Sequence, residues 1–209
     1  MRTVLGRRKP RSVNLDRVRL SSEMQTILHE YTKIYGETDR NFLRSSDYKR
    51  WSYVLNKMDG GGRLLDVGIG VGQFAYAADL SPKFSEVVGV DIRTHSGLLT
   101  ISDRVRLVWT NAADMPFDDG EFESVTCMEC LEHMDDATFT SALRELRRVV
   151  GRELMMTVPF EEPEPLPKGH VQRFSRQRIA ETFPDAEVTL LSRRYSRVPW
   201  ALIRETTDS

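Results

Sequence analysis

Two cysteines among 209 residues leave no disulfide framework, which favours a reducing compartment and a cytoplasmic location. No run of 18 apolar residues is present, so no membrane-spanning helix is expected. The start of the chain is rich in arginine but lacks the apolar stretch of a secretory signal. Nine prolines and thirteen glycines are too few for a collagen-like or wholly disordered chain. Net charge is -1, so no global field recruits nucleic acid or an anionic membrane. There is no internal repeat and no appended RNA-binding module.

What is present is an ordinary globular composition, 40% hydrophobic and 29% charged. The charge is unevenly spread. Residues 1–20 hold seven basic side chains against Asp16, whereas residues 107–143 hold nine carboxylates and no Lys or Arg. The length suits one domain. Residues 1–14 read as a flexible basic arm, and 15–209 as a single unit with N-terminal helices over 15–60, a core over 61–160 and a closing region over 161–209.

Apolar spacing predicts helices over 21–35, with Ser21 or Ser22 as N-cap, and over about 46–58, starting near Ser46. Strands and helices then alternate. Strands are expected at Arg63–Val67, Glu86–Val90, Arg104–Val108, Glu121–Cys127 and Glu153–Val158, with helices at Val71–Asp79 and Ala137–Val150. A proline-rich loop at 160–170 leads to a helix over 175–182, N-capped by Ser175, and to a hairpin of Glu187–Leu191 and Val198–Arg204. Such alternation implies right-handed βαβ crossovers and an α/β fold with a mostly parallel sheet.

The strongest local signal is Asp66-Val67-Gly68-Ile69-Gly70-Val71-Gly72, a strand that ends in a glycine turn and opens a helix. Ligands of open α/β sheets bind at such carboxyl ends. A dinucleotide fingerprint would place glycine at 73, where Gln73 stands. Asp91 ends the second strand, where a carboxylate suits a ribose diol. Asp114 follows the third strand, in reach of an exocyclic amine.

With these three motifs the sequence resembles the class I S-adenosylmethionine (SAM) dependent methyltransferases over residues 60–160. The resemblance implies a Rossmann-like sheet of seven strands with helices on both faces and an antiparallel last strand. It implies that Gly68, Gly70 and Gly72 cradle the methionine part of SAM, with Asp66 near its amino group. Asp91 would hold the ribose hydroxyls, with Ile92 beside it. Asp114 and the backbone of Met115 would meet the adenine, and Cys127, at the end of the fourth strand, joins the cofactor side. As side chains, Cys127 and Cys130 read as small buried apolar groups. A redox pair or half a zinc site is the minor reading of their spacing.

Glu129, Glu132 and His133 form a Glu-x-x-Glu-His segment just past the fourth strand. It resembles the ubiquinone-biosynthesis O-methyltransferases and the small-RNA 2′-O-methyltransferases, in which this segment is associated with a divalent metal. In the RNA enzymes a later histidine completes the site, and His170 occupies that region here. At i, i+3 and i+4 the three residues would share one helical face. Two carboxylates and one or two imidazoles suit Mg²⁺, Mn²⁺, Zn²⁺ or Co²⁺. Two other readings stay open: His133 as a metal-free general base, with His170 as a second catalytic group, and a purely structural turn.

The acceptor pocket is expected among Tyr31, Tyr35, Phe160, His170, Phe174, Tyr195 and Trp200, edged by Arg173, Arg176, Arg178, Arg193, Arg194 and Arg197. A small or medium hydroxylated metabolite is the first acceptor expected. RNA is the second, and a non-catalytic SAM-binding subunit is the third alternative.

Overall fold

A computed structural model of the chain describes residues 10–35, 47–94, 104–194 and 196–207, and of Asp47 the backbone alone. Residues 1–9 of the expected arm, and Ser46 as a helix start, lie outside the described residues.

The central strands form because their apolar runs are buried, on both faces in all but the outermost, which is partly exposed. They are β2 (Arg63–Val67), β3 (Glu86–Asp91), β4 (Val105–Trp109), β5 (Phe122–Met128) and β6 (Val150–Pro159). Before them lie β1 (Arg11–Asn14), α1 (Ser22–Tyr35) and α2 (Asp47–Lys57). Interleaved are α3 (Gln73–Asp79) and α4 (Asp136–Val149), and the chain closes with α5 (Arg176–Thr182), β7 (Glu187–Ser192) and β8 (Trp200–Thr206). Among the described residues the sheet has eight strands, in the order β1-β7-β8-β6-β5-β2-β3-β4. β8 runs antiparallel to β6 and β7, and every other pairing is parallel.

Seven strands were expected. The eighth is β1, which lies where the sequence suggested a free arm. Arg11 to Asn14 pair in parallel with Thr189 to Ser192. Backbone hydrogen bonds hold this edge, so a segment with one apolar residue can serve.

Successive strand residues face opposite layers. Leu65 and Val88 join a core with α4 and α5, while Leu64 and Val87 join a second core with α1, α2 and α3. α4 presents Phe139, Ala142, Leu143, Leu146 and Val149 to the first core, and Asp135 caps it by accepting from the Thr138 amide. Ser175 caps α5 by accepting from the Arg178 amide at 3.1 Å, as the sequence suggested. Ser21 does the same for α1, accepting from the Met24 amide at 3.2 Å.

From β2 the chain winds outward to β3 and β4, then returns to place β5 on the other side of β2. The strand order reverses between β2 and β5, and a crevice opens at their carboxyl ends. Asp66, the glycine turn and the Glu-x-x-Glu-His segment all fall on this rim.

Candidate functional site

Gly68, Gly70 and Gly72 have φ of 77°, 57° and 88°, a left-handed path that glycine takes without strain. Gly68 is also fixed by space, since a Cβ there would lie 2.6 Å from the Cys130 Sγ. The Gly68 and Ile69 amides both donate to the Val90 carbonyl, at 2.8 and 3.0 Å. Asp91 braces the turn from β3: its Oδ2 accepts from the Gly70 amide at 3.1 Å and its Oδ1 from the Ile92 amide at 2.8 Å.

Asp66 is buried, and Oδ1 accepts the Thr126 hydroxyl at 2.8 Å. Burial pushes its carboxyl up to about 7, against the pull of the Thr126 bond and with a small push from Asp91. It opens onto a cleft of about 120 Å³, whose walls include Gly68, Gln73, Met128 and Arg50. Arg50 comes from α2 and was not anticipated from the sequence. Its Nη1 lies 3.1 Å from the Glu129 Oε2, and its guanidinium stacks 4.9 Å from the Trp200 ring centre.

Asp114, expected to meet adenine, is exposed in a turn, and its amide donates to the Asn111 carbonyl at 3.0 Å. Ile92 is 68% exposed, an apolar face beside Asp91. Two expected cofactor residues are placed otherwise. The Met115 amide donates to Glu145 Oε2 at 3.0 Å and its carbonyl accepts from Arg148 at 3.1 Å, so its polar backbone is taken up within the fold. The Cys127 side chain is fully buried in the core, where Cys130 and then burial push its thiol up. Both cysteines are free thiols.

The Glu-x-x-Glu-His segment is not one helical turn. Glu129 sits at φ 52°, outside any helix, and a single 3₁₀ turn covers Leu131–His133. The left-handed step aims Glu129 at Arg50, at the Trp200 Nε1, which donates at 2.9 Å, and at the Thr157 hydroxyl, which donates at 3.2 Å. The expected helical face is therefore corrected at Glu129, whose carboxylate the arginine and the indole engage.

Glu132, His133 and His170 do converge. One ligand atom from each lies within 4.8 Å of the others. Glu132 is 1% exposed and its Oε2 has no hydrogen-bond partner. Burial, then the charge of Glu129, pushes its carboxyl up to about 9. The His133 Nδ1 lies 3.0 Å from the Gly169 carbonyl, which can only accept, so Nδ1 carries the proton and Nε2 is left bare. The His170 Nδ1 lies 2.7 Å from Glu162 Oε2. A buried, orphaned carboxylate oxygen beside two imidazoles held through Nδ1 fits a divalent cation, which would supply the charge that Glu132 lacks.

Residues 65–153 match the methyltransferase domain family. A ubiquinone biosynthesis O-methyltransferase of Xanthomonas euvesicatoria is 36% identical over 102 residues, 43% of this chain and 40% of that protein. A ubiquinone/menaquinone biosynthesis C-methyltransferase of Vibrio cholerae is 32% identical over 143 residues, 58% of this chain and 50% of that protein. The chain spans about half the length of the curated relatives it matches. The 1,6-didemethyltoxoflavin-N1-methyltransferase of Burkholderia thailandensis, solved with S-adenosylhomocysteine, shares the fold with a TM-score of 0.65 at 15% identity. That likeness covers 92% of this chain and 93% of the other. Residues 65–153 thus match a methyltransferase domain, on the fold that the toxoflavin enzyme shares.

Around the cleft the expected acceptor residues divide. Tyr31, Tyr35, Phe160 and Phe174 are core side chains, and Tyr195 lies outside the described residues. Trp200 is nearly buried, engaged by Glu129. The arginines are largely matched by neighbours. Arg173 pairs with Glu161 at 2.9 Å, Arg178 approaches Asp136 at 3.4 Å, and Arg193 approaches Asp16 at 3.2 Å. Among the described residues no helix is long and apolar enough to cross a membrane.

Proposed function

We propose that the protein transfers the methyl group of SAM to a hydroxyl oxygen of a small or medium-sized metabolite, assisted by a divalent ion held by Glu132, His133 and His170. The observation that supports this reading most is the convergence of those three ligating groups on the rim that carries the glycine turn. Arg50 and Asp66 offer opposite charges within one cleft, which suits the carboxylate and ammonium of an amino acid. Asp91 would accept from the ribose diol.

When bound, the ion supplies a Lewis acid that lowers the pKa of a coordinated hydroxyl. Glu132, His133 and His170 would hold the ion beside the acceptor. In the transfer the carbon–sulfur bond would break as the carbon–oxygen bond forms, releasing S-adenosylhomocysteine, with the hydroxyl proton passing to solvent water. Arg50 and Glu129 fix the wall of the cleft beside Met128. Trp200 and the 160–174 segment exclude water from one side.

The test is methyl transfer from labelled SAM to a panel of catechols and simple alcohols, with Co²⁺ or Mn²⁺ and with a chelator. Saturable SAM binding by calorimetry and ether products on vicinal diols are expected, lost with chelator and in Glu132→Gln. Failure to bind SAM overturns the activity. Products methylated at carbon overturn the oxygen assignment. Undiminished turnover with chelator overturns the metal assignment and leaves His133 as the proton acceptor.

A further inference from the structure

Residues 160–174 leave β6, cross the rim and return at α5. Their neck is closed by the pairing of Phe160 with Phe174, by the Glu161 amide donating to the Phe174 carbonyl at 3.0 Å, and by Arg173 Nε donating to the Glu162 carbonyl at 2.7 Å. The strap lies across the 3₁₀ turn. The Val171 and Gln172 amides both donate to the Glu132 carbonyl, at 2.8 and 3.1 Å. Gln172 Nε2 donates to the Met134 carbonyl at 2.9 Å. Gly169, at φ 94°, turns its own carbonyl onto the His133 Nδ1.

Within this strap Glu162 is 6% exposed, although solvent is one residue away at exposed Glu161. Taking a carboxylate out of water is costly unless its bonds repay the loss. The Glu162 carboxylate is spent on the His170 Nδ1, at 2.7 Å. That bond puts the ring proton on Nδ1 and turns the Nε2 lone pair away from the strap. The Gly169 carbonyl imposes the same tautomer on His133. The two rings meet edge to face, with centres 4.9 Å apart and planes at 88°. A structural turn would have no use for two oriented lone pairs beside an orphaned carboxylate oxygen. A general base needs one imidazole.

Resting on the metal-assisted reading above, we infer that Glu162 is a positioning residue of the metal centre: with the Gly169 carbonyl it fixes both imidazoles so that two Nε2 atoms and Glu132 form a three-ligand face. Two nitrogens and one oxygen favour Zn²⁺ or Co²⁺ over Mg²⁺, which seeks oxygen ligands in near-ideal octahedral geometry. Three protein ligands leave open positions for acceptor oxygens. Glu129 is excluded from the set by its engagement with Arg50 and Trp200.

The experiment titrates Co²⁺ alone, then Zn²⁺ in competition and Mg²⁺ separately, into the full chain, and follows the visible cobalt bands. Wild type, Glu162→Ala, Glu162→Gln and Glu129→Gln are compared, with SAM affinity as the control for folding. Wild type is expected to saturate with one ion. Glu162→Ala is expected to weaken binding by about 10- to 100-fold. Glu162→Gln is expected to lose only several-fold, because its amide oxygen still accepts from Nδ1–H. Glu129→Gln is expected to stay within about threefold, since it removes a nearby charge and not a ligand. Nitrogen-15 spectra of the metal-free imidazoles are expected to show Nδ1–H tautomers at both His133 and His170. In Glu162→Ala, His170 alone should drift toward the other tautomer.

No Co²⁺ or Zn²⁺ binding by wild type overturns the metal reading and this inference with it. Wild-type binding with unchanged affinity and tautomer in Glu162→Ala overturns the role of Glu162 alone. If Glu162→Ala loses SAM binding through misfolding, unchanged metal affinity and His170 tautomer in Glu162→Leu, which has no acceptor, have the same force. A tenfold or greater loss in Glu129→Gln overturns the three-ligand set, and Mg²⁺ bound as tightly as Zn²⁺ overturns the metal class.

Discussion

At the level of single residues, Asp66 binds its proton up to about pH 7 because burial outweighs the one hydroxyl bond it receives. In the unfolded chain the same carboxyl titrates near 3.8. Between those values the folded state keeps a proton that the unfolded state has released. The stabilisation is full below pH 4 and is lost as pH rises through 7. Ionised Asp66 is nevertheless the form that suits a ligand ammonium. Asp66→Asn should therefore raise the melting temperature at pH 8, with a gain that shrinks toward pH 4. It should also weaken SAM binding by at least about tenfold, as expected for a lost charge-assisted bond. Wild-type SAM affinity should fall as pH drops below 7, and that fall should be absent in the variant. Differential scanning fluorimetry and calorimetry across pH 5–8 check all three expectations. Arg50→Leu should likewise cost about tenfold or more in SAM affinity, because it empties the opposite wall of the cleft of its cation. Asp66 and Asp91 were legible in the sequence because each ends an apolar run at a strand's carboxyl end. Arg50 was not, since it lies in a helix far from the glycine turn. The helical face expected for Glu129 is absent because residue spacing does not encode a left-handed φ.

At the level of elements, legibility followed the source of each element's stability. β2 and β3 are written in apolar runs, and α4 in its helical stripe. β1 is held by backbone pairing to β7, so no side-chain pattern announces it. Asp16, just beyond β1, pins this edge. It accepts from the Arg194 amide at 2.8 Å, from Lys49 at 2.8 Å and from Arg193 at 3.2 Å. These bonds, the Arg194 amide first, hold its carboxyl well below the ordinary range. A depressed carboxyl contributes stability that is present at neutral pH and is lost as pH falls through the native value, beginning once the unfolded chain protonates near pH 4. Asp16→Ala should lower the melting temperature at pH 7. Its difference from wild type should close as pH is lowered from 5 toward 2. A constant difference over that range would mean that Asp16 acts through its backbone turn and not through its charge. The strap over 160–174 shows the opposite limit. Its prolines marked a loop in the sequence, but nothing local marked Glu162 as turned inward, because that burial depends on His170 arriving from eight residues away.

At the level of the whole molecule, the charge that a nucleic acid would need is largely spent internally. The net charge is -1, and of the nine carboxylates over 107–143, Asp114, Glu129 and Glu132 follow the carboxyl ends of β4 and β5. Arg173, Arg178 and Arg193 face carboxylates of their own chain, and Arg176 stacks over the Phe160 ring at 5.7 Å. Binding RNA would exchange these internal pairs for phosphates and release few counterions on balance. Single-stranded RNA of about twelve nucleotides should therefore bind more weakly than about 100 μM at physiological salt, with a shallow dependence on salt. The replacements Arg173→Ala and Arg178→Ala should leave methylation of a small diol within about threefold, in keeping with exposed pairs of little energetic weight. Fluorescence anisotropy across a salt series checks the first expectation, and steady-state kinetics check the second. A steep salt slope with micromolar affinity would mean that the pairs open for phosphates. The oriented imidazoles and Glu132 would then serve a terminal ribose, whose two hydroxyls present the same vicinal diol as a catechol.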